Sequence, residues 1–148
     1  MSCTVGMTVL DAMHDEKLQE NARAIGDHLR CRVEALASRF PIVGAVHGMC
    51  LYLGLEFVRN RETLEPSTQE TAAICSRLLD LGADMPPTGD YLDVLKIKPP
   101  LCLSRQNADF FADMLARVLE EGWQAQTPPN CRSAVSQSML SRGGRAVP

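Results

Sequence analysis

At Phe40-Pro41 the spacing of apolar residues changes. Before it, Leu18, Ala22, Ile25, Leu29, Val33 and Leu36 recur three and four residues apart, which draws one stripe along a helix from about Asp15 to Arg39. After it, Leu51, Leu53, Leu55 and Phe57 recur at every second residue, the period of a strand with one buried face. A chain that changes period in this way needs a helical layer and a sheet layer around one core. The proline marks the boundary, because it lacks an N–H and fixes φ. Residues 42–46 and 49–58 read as two strands meeting at His47-Gly48, where the glycine can take a positive φ. Strands joined by so short a turn run antiparallel.

The flanking segments fit the same plan. Ser2 is the expected N-cap of a first helix reaching about His14. Its apolar residues Val5, Met7, Val9, Leu10, Ala12 and Met13 cover more of the circumference than one core-facing stripe requires. That helix is predicted to touch two partners. Arg59 to Glu65 reads as a charged loop, and Ser67-x-x-Glu70 as the capping box of a third helix, which carries Ile74, Leu78 and Leu81 and stops at Gly82. Gly82 to Asp93 is loop-like, with a turn over Pro86–Asp90. Val94 to Lys98 then alternates apolar side chains with ammonium groups until Pro99 and Pro100 end the ladder. Ser104 caps a fourth helix bearing Ala108, Phe111, Leu115 and Val118 and closing at Gly122.

The predicted order is α, α, β, β, α, a short extended segment, β, α, and the fold class is α+β, a small antiparallel sheet packed by helices on one face. One domain covers residues 1–123. From about Gln124 the chain is Ser-, Pro- and Gly-containing without periodicity, and residues 124–148 are expected to be a disordered tail.

Charge and motifs exclude several functions. The formal net charge is −3 and the pI about 5.6, which argues against a general nucleic-acid binder. The tail nonetheless holds Arg132, Arg142 and Arg145 and no acid. Six cysteines lie singly, without a C-x-x-C or Cys/His cluster, and are expected to be buried free thiols in a reducing cytosol. No basic n-region precedes an apolar block. The longest uncharged apolar run, Pro41 to Leu55, contains three glycines and is shorter than the roughly 20 residues of a membrane span. The expectation is a soluble cytoplasmic protein, with no membrane and no nucleic-acid partner. Phosphate-loop, dinucleotide and nucleophile-elbow motifs are missing. His14, His28 and His47 are unpaired in sequence and read as surface or turn residues, and acids four apart, such as Asp11 with Asp15, read as solvated helix faces.

The ordered runs Ser2-Cys3-Thr4-Val5-Gly6-Met7, Val43-Gly44-Ala45-Val46-His47-Gly48, Leu51-Tyr52-Leu53-Gly54-Leu55-Glu56, Pro87-Thr88-Gly89-Asp90 and Val94-Leu95-Lys96-Ile97-Lys98-Pro99-Pro100-Leu101 carry a resemblance. They are similar to the C-terminal portion of class III pyridoxal-phosphate aminotransferases, most of all to the ethanolamine-phosphate and phosphohydroxylysine phospho-lyase branch. The resemblance implies the C-terminal small domain of a fold-type I enzyme, a homodimer when whole, acting on an amine substrate. It also implies the cofactor pyridoxal 5'-phosphate, held as a Schiff base by a lysine of a large domain that precedes this region. Of the chain's lysines, Lys17, Lys96 and Lys98, none stands in that lysine's context.

The position matching Lys96 is commonly an arginine that clamps the substrate carboxylate, whereas the phospho-lyase branch has lysine. Lys96 is therefore the substrate-binding candidate, and no catalytic residue or metal ligand is assigned. An ammonium lacks the bidentate fork of a guanidinium, so a phosphate or phosphorylated amine suits it as well as a carboxylate. A lysine on a strand's outer face is otherwise simply a solvated charge, which is also the reading for Lys98. The chain departs from the usual Arg-Gly-x-Gly-Leu at His47-Gly48-Met49-Cys50-Leu51, so the arginine's contact does not transfer to His47. Three readings follow: a small domain contributing substrate contacts but unable to catalyse alone, an interaction module that docks on a separate large domain or on itself, and an inactive remnant.

Overall fold

The computed structural model describes residues 2–122, so the 124–148 tail lies outside the described residues. The elements run α1 (Ser2–Asp15), α2 (Leu18–Arg39), β1 (Val43–Met49), β2 (Tyr52–Asn60), β3 (Glu65–Pro66), α3 (Thr68–Asp80), β4 (Pro87–Thr88), β5 (Val94–Ile97) and α4 (Arg105–Glu120). The sheet order is β1-β2-β5-β4, with β3 also paired to β2, and every pairing is antiparallel. This is the expected α+β architecture.

The change of period sets the core. Leu53, Leu55 and Phe57 of β2 and Leu95 and Ile97 of β5 share one buried sheet face, with Leu53 opposite Ile97 and Leu55 opposite Leu95. Leu29, Val33 and Leu36 of α2, Ile74 and Leu78 of α3, and Ala108, Leu115 and Val118 of α4 close over it. Because strand residues alternate faces, Gly54, Glu56, Val94 and Lys96 are left on the opposite side.

Helix ends follow local chemistry, with two corrections. Ser104 accepts a hydrogen bond from the Asn107 N–H at 3.2 Å, as a cap should. Gly82, at φ 97°, closes α3: its own N–H reaches Leu79 O, and that of Ala83 reaches Leu78 O. At the other end of α3, however, the capping box does not form. Ser67 makes no side-chain cap, its hydroxyl is buried without a partner, and Glu70 binds Arg59 instead. The carbonyl of Ser67 takes the Thr71 hydroxyl and N–H, so the turn is held from the main chain. Ser2 lies within α1 rather than ahead of it.

Four further expectations are corrected. The helix from Asp15 breaks at Lys17, whose φ of 50° turns α1 away from α2, although no glycine or proline marks the break. The β1–β2 turn is Cys50-Leu51, not His47-Gly48: Met49 faces Tyr52 and Gly48 stays in the ladder opposite Leu53. The Arg59–Glu65 loop shrinks, because β2 extends to Asn60 and β3 returns at Glu65. Of the five described thiols only Cys75 is buried, and burial pushes it up to about 11; Cys3, Cys31 and Cys102 are exposed.

The apolar surface of α1 is largely uncovered by the described residues. Val5, Met7, Val9 and Leu10 are each more than half exposed, and only Met13 is partly covered. No helix of the described residues is long and apolar enough to cross a membrane.

Candidate functional site

The outer face of the sheet gathers the chain's polar strand residues. Strand register places His47 opposite Gly54 and Gly54 opposite Lys96, so these three form one row across β1, β2 and β5. The next row is Ala45, Glu56, Val94 and Thr88. Lys96 is exposed, with Leu95 and Ile97 buried on either side of it, so the strand itself turns the ammonium outward. Gly54 puts no side chain between His47 and Lys96, which leaves a floor of bare backbone.

His47 is not the lone turn residue that its place in the sequence suggests. Its Nε2 lies 2.9 Å from Glu56 Oε2, a diagonal cross-strand pair that only the hairpin register creates. Glu56 and Gly54 are the site residues that sequence reading passes over. The signal was the alternation of β2, whose even-numbered residues fall on one side. At the rim, the Lys98 ammonium stands 6.0 Å from the Tyr52 ring centre, so this lysine is engaged with an aromatic face.

Two anchors hold the strands that carry the row. Asn21 of α2 donates through Nδ2 to Leu101 O at 2.7 Å and Leu103 O at 3.1 Å, fixing the chain that follows Pro99-Pro100. Arg30 donates to Gly48 O at 2.9 Å beside the β1–β2 turn. Another charged cluster holds two helices together. His28 lies 2.7 Å and Arg32 2.9 Å from the Asp109 carboxylate, tying α2 to α4, and the His28 hydrogen bond foremost holds that carboxyl below its usual range. Among the described residues no three His, Cys, Asp or Glu side chains gather to hold a metal ion.

Residues 1–119 match the profile of the family described as Aminotransferase class-III. The chain belongs to that family. It is 36% identical over 115 residues to "Alanine--glyoxylate aminotransferase 2 homolog 2, mitochondrial" of Arabidopsis thaliana, covering 78% of this chain and 24% of that protein. With the Caenorhabditis elegans "Ethanolamine-phosphate phospho-lyase homolog 1" it shares 29% identity over 108 residues, 72% of this chain and 23% of the relative. The fold superposes on an Arthrobacter phospholyase solved in complex with phosphoethanolamine, with a TM-score of 0.74 and 29% identity over 79% of this chain and 28% of that one. It superposes likewise on a PLP-bound amine transaminase from an uncultivated Pseudomonas species, with a TM-score of 0.73, 26% identity and coverage of 80% and 27%. This class III chain thus spans about a quarter of the length of the relatives it matches. Phospho-lyases stand among them, as the motifs implied.

The family depends on pyridoxal phosphate, which requires an enclosed lysine for its aldehyde, a partner for its ring nitrogen and donors for its phosphate. Lys17, Lys96 and Lys98 are all exposed. The described residues do not by themselves fit the cofactor.

Proposed function

We propose that this chain is the substrate-side small domain of a pyridoxal-phosphate-dependent class III enzyme, a transaminase or phospho-lyase for amino or phosphorylated-amine substrates. Its part is to present Lys96 to the anionic end of the substrate. The observation that carries this is the exposed Lys96 on a sheet face otherwise floored by Gly54, in a fold shared with a phospholyase that binds phosphoethanolamine. The ammonium supplies a point charge, and its hydrogen bonds strengthen when a ligand displaces water. The cofactor and its lysine belong, in this reading, to a large domain outside the chain, with which it forms the homodimer usual in the family. The chain alone does not turn over substrate. The compartment we assign is the cytoplasm, in keeping with five free thiols among the described residues.

A second reading has a specific observation behind it. The four large apolar side chains of α1 that stand in solvent suit a surface that docks on that large domain. The two readings are compatible. Incubating the purified chain with pyridoxal phosphate, reducing with borohydride and mapping the peptides tests the first: no lysine is labelled stoichiometrically. Saturable labelling of one lysine together with turnover of an amine would overturn it.

A further inference from the structure

We propose that His47 is a second anion-binding group on this face, so that the row His47–Gly54–Lys96 receives the tetrahedral phosphoryl group of a phosphorylated amine. The inference rests on reading Lys96 as the substrate contact, and it names the residue that favours phosphate over carboxylate.

The spacing suits such a group. Two inter-strand steps put the His47 and Lys96 backbones roughly 10 Å apart, with no side chain rising between them. A phosphoryl group offers oxygens on several sides and is met from both strands. A planar carboxylate on Lys96 has a single further oxygen, confined to its own plane, to turn toward β1, whereas a phosphoryl group has more, pointing in different directions.

The pairing with Glu56 decides when His47 can take part. A carboxylate only accepts, so Nε2 of His47 carries the hydrogen of that 2.9 Å contact. In the neutral ring Nδ1 is then a lone pair, which repels an anion. In the imidazolium it is an N–H, which donates to one. The charged groups facing His47 are Glu56 on β2 and, one strand further, Lys96 on β5; Arg30 of α2 ends on the Gly48 carbonyl, and Lys98 stands at the rim by Tyr52. With His47 neutral, Glu56 and Lys96 cancel. Once it is protonated, the trio attracts an anion, so the imidazolium form of this face is the one that binds a dianion.

Sulfate, a tetrahedral dianion that does not titrate here, is the probe, and amide shifts of the ¹⁵N-labelled chain are the readout. For the wild-type chain in mildly acidic buffer the amides of His47, Gly54 and Lys96 move together, and His47→Gln weakens sulfate binding about tenfold, as losing one charge-assisted hydrogen bond should. Gly54→Ala, whose Cβ meets only Val94 Cγ1 at 3.5 Å, keeps the fold and both charges yet weakens binding by covering the floor. If Lys96→Met abolishes binding while His47→Gln matches wild type in that buffer, the role of His47 is overturned and that of Lys96 stands. If sulfate leaves the Lys96 and Gly54 amides unmoved, the reading of Lys96 fails and this one falls with it.

Discussion

Gly26 and Gly6 sit in two helices of the same chain, and alanine at each has the opposite effect. Gly26 is buried in α2 against the β1–β2 turn. A Cβ built there would lie 2.1 Å from the carbonyl carbon of Cys50, 2.3 Å from its oxygen and 2.5 Å from its Cα, all main-chain atoms with no rotamer to yield. Helix and hairpin must separate by more than an ångström to restore ordinary contact. Overpacking of this kind costs ~1–3 kcal/mol and more where the neighbour is rigid. The better helix propensity of alanine offsets about 1 kcal/mol of that. Gly26→Ala therefore destabilises by about 2 kcal/mol, lowering a urea midpoint by roughly 1 M at an m-value of ~2 kcal/mol/M. At Gly6 nothing lies within 4 Å, so the propensity gain of up to about 1 kcal/mol stands alone. Urea unfolding followed by circular dichroism reads both. A Gly26→Ala midpoint at or above wild type would refute the close approach of α2 to the turn, and with it the placement of the turn at Cys50-Leu51.

Other consequences are as specific. Ser67→Ala leaves stability unchanged or raises it by up to about 1 kcal/mol, because the hydroxyl is buried without a partner, whereas a working N-cap would lose ~1 kcal/mol; chemical denaturation separates the two. Arg61 donates to the carbonyls of Ala37, Phe40, Pro41 and Val43 at the end of α2, so Arg61→Ala costs about 1–2 kcal/mol, seen as a lower thermal midpoint and faster amide exchange there. The Asp109 carboxyl is held below its usual range by His28, so its contribution is complete above the unfolded-state pKa of about 3.9 and is lost as pH falls through the folded value. Asp109→Asn accordingly flattens the acid limb of the stability–pH curve below about pH 4, read by denaturation across that range.

The buried half of the fold is legible because burial writes itself as spacing: the α2 stripe and the β2 alternation point to Leu29, Val33, Leu53, Leu55 and Phe57. The misses share another cause. Lys17 and Cys50 take positive φ without being glycine, so no turn residue announced the break between α1 and α2 or the turn after β1. Gly48 does take the positive φ expected of it, 101°, but inside the ladder rather than at the turn, and a Cβ there would also clash with Tyr52 O across the ladder. Ser67 matched a capping pattern, but Arg59 reached Glu70 first. The candidate site was half legible. Lys96 followed from strand alternation and resemblance, whereas His47 with Glu56, nine residues apart, required the register of a hairpin whose turn was misplaced by sequence alone.

The central claim is that the outer sheet face, through Lys96, meets the anionic end of a substrate. Titrating the ¹⁵N-labelled chain with phosphoethanolamine, with ethanolamine as the uncharged-end control, tests it directly. The account predicts weak, saturable binding of phosphoethanolamine, with a dissociation constant of about millimolar order, amide shifts confined to residues around His47, Gly54, Glu56 and Lys96, and no response in Lys96→Met. Shifts centred on another surface, or an undiminished response in Lys96→Met, would contradict it.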